Sequence, residues 1–167
     1  MTMREPFEQA VQRHGETVLR VCRAVLGPGP DAEDAWSETF LAALRSWPGL
    51  DEGTNVEAWL VRVAHRKAID VTRGRARRAL PVGDLPERES VLGNPGERSR
   101  EVWSAVAALP ERQRLAIAYH HLGGLPHAET AEIIGGSAVS VRRAAADGMK
   151  TLRRAYAAEA ETDGEPR

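Results

Sequence analysis

Apolar residues recur at intervals of three and four through the first stretch of the chain. Phe7, Val11, Val18, Val21, Cys22 and Val25 mark one buried face of a helix. Pro6, a favoured first-turn residue, opens it, and Gly27-Pro28-Gly29-Pro30 ends it. Asp31 then reads as an N-cap, with Glu33 and Asp34 in a first turn where carboxylates complement the helix dipole. Trp36, Phe40, Leu44 and Trp47 form the apolar stripe of this second helix, which Pro48-Gly49 stops. Thr54-Asn55-Val56-Glu57 has the capping-box pattern and predicts a third helix. Its inner face is Trp59, Leu60, Val63, Ala64 and Ile69, its end beyond Gly74 is arginine-rich, and Pro81 closes it.

The pattern lapses over residues 79–98, where Pro81, Gly83, Pro86, Gly93, Pro95 and Gly96 resist a helix and suit a flexible tether. Periodicity then predicts helices at about 98–109, 111–122, 126–134 and 138–156, with Pro110 and Pro126 at helix starts. Val141, Ala145, Met149, Leu152 and Tyr156 are spaced for a core. Gly135-Gly136 breaks one helix and Ser137 restarts the next, a helix-turn-helix whose second helix can enter a DNA major groove. The expected fold is all-α. Two small helical domains, 1–78 and 99–157, are joined by the tether, and an acidic, apolar-poor tail over 158–167 frays.

Charge sharpens this picture. A net charge of −1 does not suit a nonspecific DNA coater. Locally the balance is lopsided: Asp31–Glu57 holds seven acids against Arg45 alone, and Arg62–Arg78 holds seven bases against Asp70 alone. Seven bases in seventeen residues beside Trp59 favour a nucleic-acid surface over a solvated face. Phosphate contacts would come from Arg73, Arg75, Arg77 and Arg78, with Arg62, Arg66 and Lys67 nearer the helix middle. The helix-turn-helix offers Ser137, Ser140, Arg142, Arg143 and Lys150 to DNA.

Other chemistry is sparse. The single cysteine, Cys22, rules out an intramolecular disulfide and reads as a buried thiol. His120, His121 and His127 are expected on different faces without acidic companions, which argues against a metal site. No nucleophile motif or phosphate-cradling glycine loop is present, so an enzyme is the weakest class, and no cofactor is expected. No run of about 18 apolar residues exists and the start lacks a signal peptide's apolar stretch, so a soluble, intracellular chain is expected.

Three ordered motifs carry a family resemblance. Asp31-Ala32-Glu33-Asp34, with Glu38 and Phe40, resembles the second-region signature of the extracytoplasmic-function sigma factors of bacterial RNA polymerase. Trp59-Leu60 through Val63-Ala64 to Ile69-Asp70, followed by arginines, is similar to that family's promoter-melting helix. Leu109-Pro110-Glu111-Arg112-Gln113-Arg114 and the helix-turn-helix resemble its fourth region, in the minimal two-domain form of the family.

The resemblance implies a transcription initiation factor that binds core polymerase, directs it to promoters and helps open the DNA in the cytoplasm. Asp31, Glu33, Asp34, Glu38 and Phe40 would meet a basic coiled coil of the polymerase, and the loop Gly49–Val56 would capture an unstacked base. Core polymerase and promoter DNA are the implied partners, with an anti-sigma factor as a further candidate. Ser37 stands where the family usually has glutamine and Arg66 where it has asparagine; Ala144, Asp147 and Met149 stand where bases are expected. That poorly basic helix keeps an alternative open: a sigma-like interaction protein with weak or no promoter selection by its C-terminal domain.

Overall fold

Proline at the start of a helix and glycine at its end set the chain's segmentation. In the computed structural model, which describes residues 4–78 and 97–162, every regular element is helical. The first group is α1 (Phe7–Leu26), α2 (Pro30–Ser46) with a 3-10 turn after it (Trp47–Gly49), and α3 (Val56–Arg78). The second is α4 (Glu97–Ala107), α5 (Glu111–Ala116, continued as a π-helix over Ile117–Leu122), α6 (His127–Ile134) and α7 (Ala138–Thr162). The expected tether lies outside the described residues except for its last two positions, which open α4. The tail was expected to fray over 158–167, but α7 continues to Thr162; residues 163–167 lie outside the described residues.

Alanines let α1, α2 and α3 approach closely. Val18, Cys22 and Leu26 meet Ala32, Ala35, Phe40 and Ala43 of α2 and Leu60, Ala64 and Ala68 of α3. Burial on α2 centres on Ala32, Ala35, Thr39 and Ala43, and the Thr39 hydroxyl donates to the Ala35 carbonyl at 2.6 Å. Leu44 sits one residue, about 100°, beyond that centre. It is therefore 51% exposed, which corrects its place in the buried stripe. Ile69, expected on the inner face of α3, is likewise on the surface because Ala64 and Ala68 hold that face.

Two caps differ from expectation. Pro30 is the first residue of α2, so Asp31 lies inside the first turn and pairs with Arg75 rather than capping. At α3 the Asn55 side chain, not Thr54, accepts the Ala58 N–H at 3.1 Å. Glu57 is thereby freed from a capping box and accepts the His14 Nδ1–H at 3.0 Å. Asn55→Ala should cost ~1 kcal/mol of stability, read as a lower urea midpoint at unchanged slope.

The second group has its own core of Ala116, Ala131, Val141, Ala144 and Ala145. The inward positions of α7 end at Leu152, which packs with Trp103 and Leu122. Tyr156 lies a turn beyond that contact and is 45% exposed, so its expected core role is corrected.

A third core joins the two groups. Val21 of α1 and Val61 of α3 pack against Tyr119 and Leu125, all four buried, and Ala24 packs against Val106 and Ala118. The π-helix makes this possible: the Gly123 N–H reaches the Ala118 carbonyl five residues back at 2.9 Å. Each buried side chain of valine or leucine size stabilises by ~1.5–3 kcal/mol.

Cys22 lies in the first core, where burial pushes its thiol up to about 12. The folded chain should therefore resist alkylation by iodoacetamide at neutral pH and react fully once unfolded. Mass spectrometry of the native and denatured protein reads this directly.

Candidate nucleic-acid interface

α3 presents three faces, and its bases divide among them. Leu60, Ala64 and Ala68 point into the first core, while Val61, Arg62 and His65 point to the second group of helices. The remaining face borders an open cleft of about 490 Å³ between α3 and the C-terminal end of α2. Trp59, Arg66, Lys67 and Arg73 line it, with Asp70 as its one acid. Cations beside an aromatic ring suit a phosphate backbone and a stacked base together.

The seven bases expected to form one DNA surface are thus not all together. Arg66, Lys67 and Arg73 meet at the cleft, and Arg77 is exposed further along α3. Arg62 turns away, its Nη2 lying 3.3 Å from Glu129 and 3.4 Å from Glu132 of α6. Arg75 pairs with Asp31 and donates to the Leu26 carbonyl at 2.8 Å, so it staples α3 to the α1–α2 turn. Arg78 ends the helix.

The acidic helix also needs correcting. Phe40 is 6% exposed and belongs to the core, and Glu33 is buried at 8%. Both face inward because they share the side of α2 that carries Ala32 and Ala43. Asp31 is taken up by Arg75. Asp34 and Glu38 are exposed, and beside them Leu41 and Leu44 are half exposed. Sequence reasoning passed over Leu41 and put Leu44 on the buried face. Their signal was spacing: Asp34, Glu38 and Leu41 stand at i, i+4 and i+7.

Ser137 and Ser140 cap one another. The Ser140 N–H donates to the Ser137 hydroxyl at 3.1 Å and the Ser137 N–H to the Ser140 hydroxyl at 3.0 Å. Arg112 braces the turn, donating to Ser140 Oγ at 2.7 Å and to the Gly135 carbonyl at 3.0 Å. Both serines, expected at DNA, are therefore committed to holding the start of α7. Gly136 at φ +83° completes the turn.

The outward face of α7 carries Arg142, Arg143, Lys150, Arg153 and Arg154 against Asp147. The last two arginines were not anticipated. Ala144 is 8% exposed and packs in the second core, so a base at that position would be buried. His120, His121 and His127 come together rather than on different faces, the rings of His120 and His127 stacking at 3.7 Å. His120 donates through Nδ1 to the Leu125 carbonyl at 2.7 Å. Among the described residues, no three or more such side chains are placed to hold a metal ion.

Family comparison matches residues 10–78 to sigma-70 region 2 and residues 99–152 to sigma-70 region 4. The chain is 33% identical over 151 residues to the ECF RNA polymerase sigma factor ShbA of Streptomyces griseus, covering 81% of this chain and 79% of that one. It is 28% identical over 156 residues to the ECF RNA polymerase sigma factor SigE of Mycolicibacterium smegmatis, of whose length it spans 60%. In fold it is similar to the sigma factor RpoE of Bartonella quintana, solved in complex with the anti-sigma factor NepR. That likeness has a TM-score of 0.68 at 18% identity and covers 89% of this chain and 94% of that one. Among the described residues, no helix is long and apolar enough to cross a membrane.

Proposed function

This chain belongs to the extracytoplasmic-function family of sigma-70 factors, and we propose on that premise that it initiates transcription in the cytoplasm. It binds core RNA polymerase, directs it to specific promoters and helps hold the DNA open. We assign polymerase and melted DNA to residues 1–78, a linker to 79–98, and the upstream promoter element to 99–157. The chain makes and breaks no bond.

The observation that carries this reading is the separation of two chemistries on one small domain. α2 shows exposed Asp34 and Glu38 beside Leu41 and Leu44, which fits a basic protein surface with an apolar centre. A few residues away the cleft sets Trp59 among Arg66, Lys67 and Arg73, which fits single-stranded DNA. To the loop before α3 we assign the capture of an unstacked base, as the family resemblance implies. On α7, Arg142 and Arg143 are the best candidates for guanine edges, worth ~1–3 kcal/mol each if bidentate. An anti-sigma factor, such as the one bound to the Bartonella relative, is a further partner we propose.

Titrating the labelled chain with purified core polymerase tests this. Saturable binding that weakens as salt rises is expected. No binding at micromolar core enzyme would contradict it.

A further inference from the structure

Three histidines that the promoter reading leaves unused stand in a row beside α7. His120 and His121 come from the π-helix and His127 from the start of α6. The rings of His120 and His127 stack at 3.7 Å, and His121 meets His120 edge-on at 5.0 Å. An arginine of α7 bounds each end of the row, Arg142 beside His127 and Arg153 beside His121. Those arginines stand three turns apart on one line of the helix, ~16 Å along its axis and within ~20° around it. The strip meets solvent: His121, Arg142 and Arg153 are exposed and the other two rings half-buried.

The charge of this strip is held back in the free chain. His120 donates through Nδ1 to the Leu125 carbonyl at 2.7 Å, which leaves Nε2 as the atom that would take a proton. Partial burial first, then His120 and the nearby arginine, hold His121 and His127 below the usual histidine pKa, so both are largely neutral at neutral pH. Acids on the surrounding elements are turned elsewhere. Glu57 pairs with His14, Glu129 and Glu132 pair with Arg62, and Asp147 falls ~140° around α7 from Arg142.

A phosphate reverses this balance. An anion beside the rings favours the imidazolium form, and a row ~16 Å long faces several phosphates of a strand that rises ~3.4 Å per nucleotide. We propose that the strip from Arg142 through His127, His120 and His121 to Arg153 grips a DNA backbone along the edge of the groove that α7 enters, its histidines taking protons from solvent as the duplex docks. The proposal rests on assigning promoter DNA to residues 99–157. Each proton taken up strengthens binding ~10-fold per pH unit as pH falls through the window between the bound and the free rings' pKa.

Fluorescence anisotropy of the full chain on a labelled duplex of about 30 base pairs tests this at constant low salt, from about pH 7.5 to about pH 5.5. Backbone contacts carry no sequence information, so no matched promoter is needed. Asp and Glu stay ionised over that range, which leaves the histidines as the groups that change. The wild type should gain ~10-fold or more in affinity, and His121→Gln/His127→Gln less than ~3-fold, with circular dichroism confirming its fold. Proton NMR of the wild-type imidazoles is the second measurement, and duplex should raise the titration midpoints of His121 and His127 by about one pH unit. Affinity that ignores pH, an equal gain in the variant, or midpoints that duplex leaves in place would each overturn the strip while leaving the promoter reading intact. Midpoints that move with core polymerase and not with duplex would give the strip to an acidic protein surface and overturn it too. No duplex binding at any pH would overturn the strip together with the assignment of DNA to residues 99–157.

Discussion

Replacing Arg66 and Lys67 together by alanine should abolish promoter opening while polymerase binding persists. Both side chains line the cleft beside Trp59, and their loss leaves Arg73 as the one base lining it, with Arg62 turned to α6 and Arg75 to Asp31. Holding a base out of the stack costs a few kcal/mol, which the cleft must offset. Removing ~3 kcal/mol of that compensation lowers the open fraction ~100-fold. Permanganate reactivity of unpaired thymines reads it. By comparison, alanine at Arg142 and Arg143 should weaken DNA affinity moderately, each lost phosphate contact reducing the log–log salt slope by ~0.9. Opening that survives in the Arg66/Lys67 variant would remove the cleft from the mechanism.

The second large effect is expected on polymerase. Asp34→Lys with Glu38→Lys reverses the sign of the exposed face of α2, and affinity for core enzyme should fall ~10–100-fold, mainly through slower association. Both side chains are exposed, so the melting temperature should change little. The loss should shrink as salt screens the charges. Equal affinities of variant and wild type would remove α2 from the interface. Leu41→Ala provides an independent check on the apolar part of the same face.

The helices were legible in the sequence because periodicity and proline–glycine punctuation act locally. Gly27-Pro28-Gly29-Pro30 and Gly135-Gly136 separate elements as expected, and Val18, Val21 and Cys22 are buried as their spacing requires. Faces were less legible. Leu44 and Phe40 fall in one apolar stripe, yet alanines at 32, 35 and 43 decide which of them the core accepts. Charge pairing was invisible, since Asp31 and Arg75 are 44 residues apart and Arg62 and Glu132 are 70 apart. The contact between halves was hidden for a related reason. Val21 and Val61 have the spacing of ordinary core residues, and periodicity gives the direction of a side chain but not its partner.

The cleft bases and the exposed acids at Asp34 and Glu38 were found because charge runs survive folding as surfaces. The same reasoning overcounted by including Glu33 and Phe40, whose burial depends on helix packing. Arg153 and Arg154, a turn beyond Lys150, are exposed on α7 and were not anticipated, because attention fell on the bases near the start of that helix.

Run-off transcription with purified core polymerase, this chain and genomic promoter fragments tests the central claim most directly. Discrete transcripts that appear only when the chain is added, and vanish with the Arg66/Lys67 variant, are the predicted result. Polymerase binding with no chain-dependent transcript from any fragment would contradict it and favour a sigma-like protein that binds polymerase without selecting promoters.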